Sequence, residues 1–271
     1  MVIDEVLKEA KNRLKEVAER PLFEAEILLS HFLKVDRVYL HLNYDTEIDD
    51  LTQFFKLIER RANFEPIEYI TNEVSFYSRK FKIYRGVLIP RPETEELIKN
   101  VIPYIKSYKN IVEIGTGSGV IAITLAKLLN KEIIACDVNN KAIELAKENA
   151  LLHNVDKKIK FIESDMLERI YTSIEVIISN PPYISDSFKI DKNLTFEPKN
   201  SLFGGKRGDE FIQKLIDISI ERGIKLLACE IGYDQKGYII DYLKSKNINL
   251  ERVIFYKDLN NLDRGFIVRF E

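Results

Sequence analysis

A doubly wound α/β fold with a small helical domain at its N-terminus is the architecture this sequence predicts. Three observations carry that expectation. Short apolar runs alternate with helical patterns over the last two thirds of the chain, a glycine-rich turn follows the first of those runs, and residues 2–63 show helical spacing throughout. A length of 271 residues suits two unequal domains, and 45% apolar with 31% charged residues is the balance of a globular chain able to build a core.

In the first part, Val6, Ala10, Leu14 and Val17 recur every three or four residues, as do Ala25, Leu28, Leu29 and Phe32, then Leu51, Phe54, Phe55 and Ile58. These stripes are the expected core of a helical domain over 1–66. Pro21 suits the first turn of a helix, and Asp45, Asp49 and Asp50 offer caps for the next one. From Ile67 to Tyr84 the pattern changes to alternation, with Phe76, Phe81 and Ile83 around polar Ser78-Arg79-Lys80, which predicts a linking β-hairpin over 67–84. Pro90 and Pro92 stiffen the following loop, and Glu93 or Thr94 begins a helix through Leu97 and Ile98.

Residues 85–271 then read as strands at 111–115, 132–137, 158–164, 175–180 and 226–232, with two more near 250–256 and 265–270; helices fall over 119–129, 140–153 and 234–246. Seven strands in repeated β-α units predict a doubly wound, mostly parallel sheet. Right-handed crossovers bring the strand ends to one rim, where ligands bind.

Composition narrows the function. No apolar run approaches the roughly 18 residues of a membrane span, and MVIDEVLKEAKNRLKEV is a charged amphipathic pattern unlike a signal peptide, so a cytoplasmic protein without membrane contact is expected. Cys136 and Cys229 sit singly inside apolar runs, the setting of buried, reduced thiols rather than metal ligands, and no metal is expected. A net charge of −2 and a pI near 6.1 supply no basic field for phosphates, so no direct nucleic-acid substrate is expected. Residues 1–80 hold 12 basic and 16 acidic side chains, a surplus that can attract a basic protein partner.

Three strand-end loops suit a nucleoside ligand, and a fourth suits an acceptor group. The first is Glu113-Ile114-Gly115-Thr116-Gly117-Ser118-Gly119, between a strand and a helix, where glycines let the backbone approach a ligand. Its GxGxG spacing departs from the GxGxxG of dinucleotide enzymes, which would need glycine or alanine at Val120. About 20 residues on, the next strand ends in Asp137, placed to accept both hydroxyls of a ribose, as found in NAD and in S-adenosylmethionine alike. The third strand ends in Asp165 and Met166, an acid for an exocyclic amine and an apolar cover for an adenine ring.

The fourth strand runs into Asn180-Pro181-Pro182-Tyr183. The Asn180 side-chain oxygen and the Pro181 carbonyl can each accept a hydrogen bond from a planar NH2 group, turning its lone-pair face toward a sulfonium methyl. The prolines fix the backbone, and Tyr183 offers a flat face. An amide nitrogen is a poor nucleophile, so such a site supplies orientation and polarisation rather than a strong base. His31, His41 and His153 fall away from these loops and are assigned packing or solvent roles.

With these motifs in this order, the chain resembles a class I (Rossmann-like) methyltransferase, and specifically the HemK/PrmC family of protein-(glutamine) methyltransferases. The likeness runs through RRANFEPIEYI, GVLIPRPETEELI, VEIGTGSG, ISNPPYI, EPKNSLFGG, EIGYDQ and DLNNLDRGF. It implies S-adenosylmethionine as cofactor, with Gly115, Gly117 and Gly119 along its methionine part, Asp137 on ribose, and Asp165 and Met166 beside adenine. Glu113, Thr116, Ser118 and Asn180 complete the expected cofactor set, and Asn180, Pro181, Pro182 and Tyr183 the catalytic one. The implied partner is a peptide chain release factor, methylated on the glutamine of its Gly-Gly-Gln motif by a monomeric enzyme whose residues 1–66 recognise the substrate. Two other acceptors fit the same chemistry, a glutamine of a large-subunit ribosomal protein and the adenine amino group of rRNA or DNA. The EPKNSLFGGKRGDEF segment departs from the family in its Lys-Arg pair.

Overall fold

A computed structural model of the chain describes residues 1–270, which divide into two units: Met1–Glu73 with Asp191–Phe196, and Val74–Ile190 with the chain from Glu197 onward. The first unit is helical: α1 (Ile3–Leu14), α2 (Pro21–Leu33), α3 (Arg37–Leu42), α4 (Thr52–Ala62) and α5 (Ile67–Thr71). Pro21 opens α2, where its missing N–H costs nothing, and Asp50 Oδ1 accepts from the Thr52 amide at 2.8 Å as α4 starts. The apolar stripes meet as expected: Val6, Ala10 and Leu14 of α1 pack with Leu28, Leu29, Phe54 and Ile58 in one buried cluster. Arg61 of α4 spans this core to Glu24 at 2.5 Å and to the Val17 carbonyl at 3.1 Å.

Residues Ile67–Thr71 differ from expectation. They form a helical turn rather than the first strand of a hairpin, because Tyr69 and Ile70 can both be buried that way and Asn72, at φ +57°, ends it. The hairpin is shorter, β1 (Glu73–Phe76) and β2 (Arg79–Lys82), joined through Tyr77 and Ser78, both at positive φ as a type I′ turn demands. It is docked rather than loose. The buried Asn149 side chain accepts from the Lys82 amide at 2.8 Å and donates to the Lys82 carbonyl at 3.0 Å.

The second unit continues with α6 (Thr94–Ile105), β3 (Ile111–Ile114), α7 (Val120–Leu129), β4 (Ile133–Asp137), α8 (Asn140–Leu152), β5 (Ile159–Glu163) and β6 (Val176–Ser179). A short pair, β7 (Ile184–Ser185) and β8 (Phe203–Gly205), precedes α9 (Glu210–Glu221), β9 (Leu226–Glu230), α10 (Lys236–Ser245), β10 (Val253–Lys257) and β11 (Asp263–Arg269). The seven-stranded sheet has the order β10-β11-β9-β6-β3-β4-β5, parallel except for β11 against both its neighbours. Every residue of β3, β6 and β9 is buried, which is why these strands read as unbroken apolar runs covered by helices on both faces.

Helix α9 has no counterpart among the expected elements, although Ile212, Leu215 and Ile216 lie at helical spacing and are buried. The glycines and charges of GGKRGDE directly before it hide its start. Among the described residues no helix is long and apolar enough to cross a membrane. Strand order reverses beside β3, whose neighbours are β4 and β6, so the loops after β3, β4 and β6 open on the switch-point crevice.

Candidate active site

The loop after β3 bends because Gly115, Gly117 and Gly119 sit at φ +75°, +55° and +84°, and its Gly115 and Thr116 amides donate to the Cys136 carbonyl at 2.9 and 3.0 Å. Gly115 and Gly117 line a cavity of about 250 Å³ together with Asp137, Asp165, Met166 and Asn180. A Cβ on either glycine would meet nothing nearer than 4.0 Å, so it would fill ligand space rather than strike protein. Gly119 works differently. A Cβ there would press to 3.0 Å on Ala146 and Ile123, so this glycine serves the packing of α7 on α8 and stands away from the cavity wall.

Glu113, Thr116 and Ser118 are likewise buried behind the loop and absent from the wall. Glu113 Oε2 accepts from the Thr116 hydroxyl at 2.6 Å and from the Ala122 amide at 3.0 Å, tying loop to helix from below. Burial is the main cause that pushes its carboxyl from 4.5 up to about 8, against the two hydrogen bonds that favour the charged form. The folded protein therefore keeps a proton that the unfolded chain has released, and Glu113 lowers stability as pH rises from about 4.5 to about 8. Glu113→Gln keeps the acceptor and carries no charge. We expect thermal unfolding to show it raising Tm more at pH 8.5 than at pH 5, by about 2–4 °C per kcal/mol recovered; an equal shift at both pH values would mean that Glu113 is ionised in the fold.

Asp137, at the end of β4, aligns its carboxylate with two amides, Oδ2 accepting from Gly117 and Oδ1 from Asn139, each at 2.9 Å. Burial raises its pKa and these bonds oppose the rise. After β5, Ser164 donates its amide to the Asp137 carbonyl at 3.0 Å, and Met166 takes φ +42° with its carbonyl 3.2 Å from Cys136 Sγ. The second and third loops are thereby locked to each other. Cys136 and Cys229 are both free and fully buried.

The loop after β6 is held from every side. The Ser179 hydroxyl donates to the Ile114 carbonyl at 2.8 Å, the Asn180 Nδ2 to Thr94 Oγ1 at 3.0 Å, and the Gln235 Nε2 to the Tyr183 carbonyl at 2.9 Å. Backbone from β8 and from the β8–α9 loop lies hard against it: a Cβ on Gly204 would stand 2.4 Å from the Pro182 carbonyl oxygen, and one on Gly208 2.3 Å from that of Tyr183. Pro181 and Pro182 line the cavity beside Asn180; Tyr183 turns its hydroxyl to Glu230 Oε1, 3.3 Å away. Glu197 accepts from the Ile89 amide at 2.9 Å and from Arg91 at 2.5 Å, fixing the LIPRP loop, whose Leu88 is on the cavity wall.

Four residues that shape the site were not anticipated: Thr94, Glu197, Glu230 and Gln235. The available signal was a carboxylate inside the otherwise apolar LLACEI run, since a charge in a buried strand needs a local reason. A larger hollow of about 570 Å³ lies at the opposite, N-terminal ends of β3, β6 and β9, around Lys109, Glu175 and Lys225, where none of the four chemical loops reaches.

Sheet order, glycine turn and strand-end acid define the class: this is a class I methyltransferase, which uses S-adenosylmethionine. Solved structures agree on the fold. The chain superposes on the hMettl16 catalytic domain in complex with a MAT2A 3'UTR hairpin with a TM-score of 0.60 at 16% identity, covering 70% of this chain and 75% of that one. A methyltransferase from Pyrococcus furiosus gives a TM-score of 0.52 at 19% identity over 71% and 89% of the two chains. Residues 5–71 match the PrmC N-terminal domain and residues 94–200 the methyltransferase small domain. The release factor glutamine methyltransferase of Clostridium botulinum is 36% identical across 97% of this chain and 98% of its own length, and that of Aquifex aeolicus is 36% identical across 96% and 95%. A bifunctional methyltransferase of Rickettsia typhi is 34% identical over 97% of this chain, which spans 56% of that longer protein. The chain belongs to the release factor glutamine methyltransferase family.

Proposed function

We propose that this enzyme methylates the side-chain amide nitrogen of the glutamine in the Gly-Gly-Gln motif of a peptide chain release factor, with Asn180, Pro181, Pro182 and Tyr183 holding that amide. The observation that carries the reading is the state of Asn180. Its Nδ2 is spent on Thr94, so its Oδ1 is the end left to accept from an incoming NH2. The Pro181 carbonyl is the second acceptor, and the two bonds orient the nitrogen without requiring a base. A substrate engaged in translation places the enzyme in the cytoplasm.

Gly115, Gly117, Asp137, Asp165 and Met166 fit S-adenosylmethionine: a cradle free of Cβ atoms for its amino-acid part, a carboxylate for ribose, an acid and a thioether for adenine. The cofactor supplies a methyl group made electrophilic by its sulfonium. Asp137 positions the glycine loop as well as the ribose, because one carboxylate serves the Gly117 and Asn139 amides. Glu113, Thr116, Ser118 and Gly119 shape the loop from behind.

A glutamine side chain offers little contact area, so selection among cellular glutamines needs a second docking surface. We assign that role to the helical unit, whose acidic surplus suits a basic partner. Incubation with methyl-labelled cofactor and intact release factor, followed by peptide mapping, is expected to place the label on the Gly-Gly-Gln peptide and to lose it when that glutamine is replaced by alanine. Label on a ribosomal protein or on RNA instead would overturn the acceptor assignment.

A further inference from the structure

Helix α3 has six residues, gives one side chain, Leu40, to the core of its unit and shows its other apolar residues to water. Val38 and Leu42 are 62% and 79% exposed, with Tyr39 exposed beside them, and their i,i+3 and i,i+4 spacing joins the three into one face. Tyr44, two residues beyond the helix, is exposed as well. A helix this short does not hold itself together in water, and large apolar side chains gather on a surface where something covers them.

The face is held rigid from behind. Glu26 of α2 is buried and accepts from the Arg37 Nε at 2.9 Å, and its other oxygen stands 3.5 Å from the His41 Nε2. His41 Nδ1 in turn lies 2.6 Å from the Tyr44 hydroxyl. At the start of α3, Asp36 Oδ1 accepts from the Tyr39 amide at 2.8 Å. The loop that follows is stitched to the start of α1: the Asp4 amide donates to the Tyr44 carbonyl at 3.1 Å, the Ile3 amide to that of Thr46 at 3.0 Å, and the Ile48 amide to that of Met1 at 2.9 Å. A surface fixed in this way loses little freedom when a partner lands on it.

Charge selects the occupant. Between residues 36 and 50 the chain exposes five acids, Asp36, Asp45, Glu47, Asp49 and Asp50, against a single arginine, Arg37, which Glu26 already holds. Such a border repels the phosphates of RNA and of an anionic membrane, and it repels a second copy of itself. It suits a protein surface with an apolar centre and a lysine or arginine border. We infer that this face of α3, centred on Val38 and Leu42, is where the acceptor protein docks. The inference rests on the release factor reading above and narrows its docking role from the helical unit to one surface.

The test uses the full-length protein. The double variant Val38→Ser with Leu42→Ser removes only exposed side chains. It is expected to lower kcat/KM on intact release factor by about tenfold or more, through KM. S-adenosylhomocysteine affinity and the rate on a short Gly-Gly-Gln peptide, which carries no such border, should not change. Leu151→Ser with Leu259→Ser removes side chains just as exposed, 62% and 90%, outside this face and should alter none of these quantities. Asp45→Asn with Asp49→Asn should weaken the salt dependence of KM. A kcat/KM equal to wild type in the Val38 and Leu42 variant would overturn the docking surface while the acceptor reading stands, and so would a wild-type dimer that this variant dissolves in sedimentation. Binding to release factor whose acceptor glutamine is replaced by alanine separates the two readings. Binding weakened by the double variant, with the native factor left unmethylated, keeps the surface and removes the acceptor assignment; no binding to wild type removes the surface.

Discussion

Asn180→Ala is expected to lower kcat by about 10²–10³-fold, the usual cost of removing one preorganised polar contact from a reacting group, while leaving S-adenosylhomocysteine affinity nearly intact. The asymmetry has a structural cause. Asn180 is the first residue beyond β6, its amide is clamped by Thr94, and the groups expected to hold the cofactor are anchored independently: Gly117 and Asn139 through Asp137, Thr116 through Glu113. Removing the side chain costs the acceptor its orienting oxygen and leaves that scaffold in place. The Thr94 hydroxyl regains its freedom, so the substitution should not unfold the loop, which the Ser179, Gln235 and Gly208 contacts still hold. Separate measurement of kcat and of the dissociation constant by calorimetry checks both halves; a variant with wild-type kcat removes Asn180 from the mechanism.

Asp137→Ala is expected to act on the other substrate, weakening S-adenosylhomocysteine binding by about 1.5–3 kcal/mol, or roughly 10–150-fold in Kd. Two losses add here. The ribose hydroxyls lose a charged acceptor, and the Gly117 and Asn139 amides lose the carboxylate that holds the loops after β3 and β4 in register. Asp137→Asn separates them, because its single carbonyl oxygen can replace only one of the two amide contacts. Titration calorimetry reads the effect directly, and an unchanged Kd in Asp137→Ala would place the ribose elsewhere.

Much of this architecture is legible in the sequence because strands buried on both faces leave unbroken apolar runs, as β3, β6 and β9 do, and because turns with positive φ call for glycine, as at Gly115 and Gly117. What is not legible is contact between segments distant in sequence. Thr94 lies 86 residues from Asn180, and Ile89 lies 108 from Glu197, so no local spacing announces either bond. The glycine loop shows the same limit at short range: six residues between 113 and 119 look alike as ligand-binding candidates, yet Glu113, Thr116, Ser118 and Gly119 turn inward to bury polar groups or admit a helix, while Gly115 and Gly117 face the cavity. Helix α5 was hidden because a single turn has too few residues to display a period.

The helical unit takes six of its residues, Asp191–Phe196, from between the acceptor loop and Glu197. Its parts are therefore not contiguous in the chain. A recombination event exchanging residues 1–73 for another recognition domain would deliver the new helices without their matching inner segment, leaving the borrowed hexapeptide, with Lys192 stacked 4.6 Å over the Phe64 ring, facing a stranger. Replacing the helices alone would therefore separate side chains that this fold brings together from the two stretches.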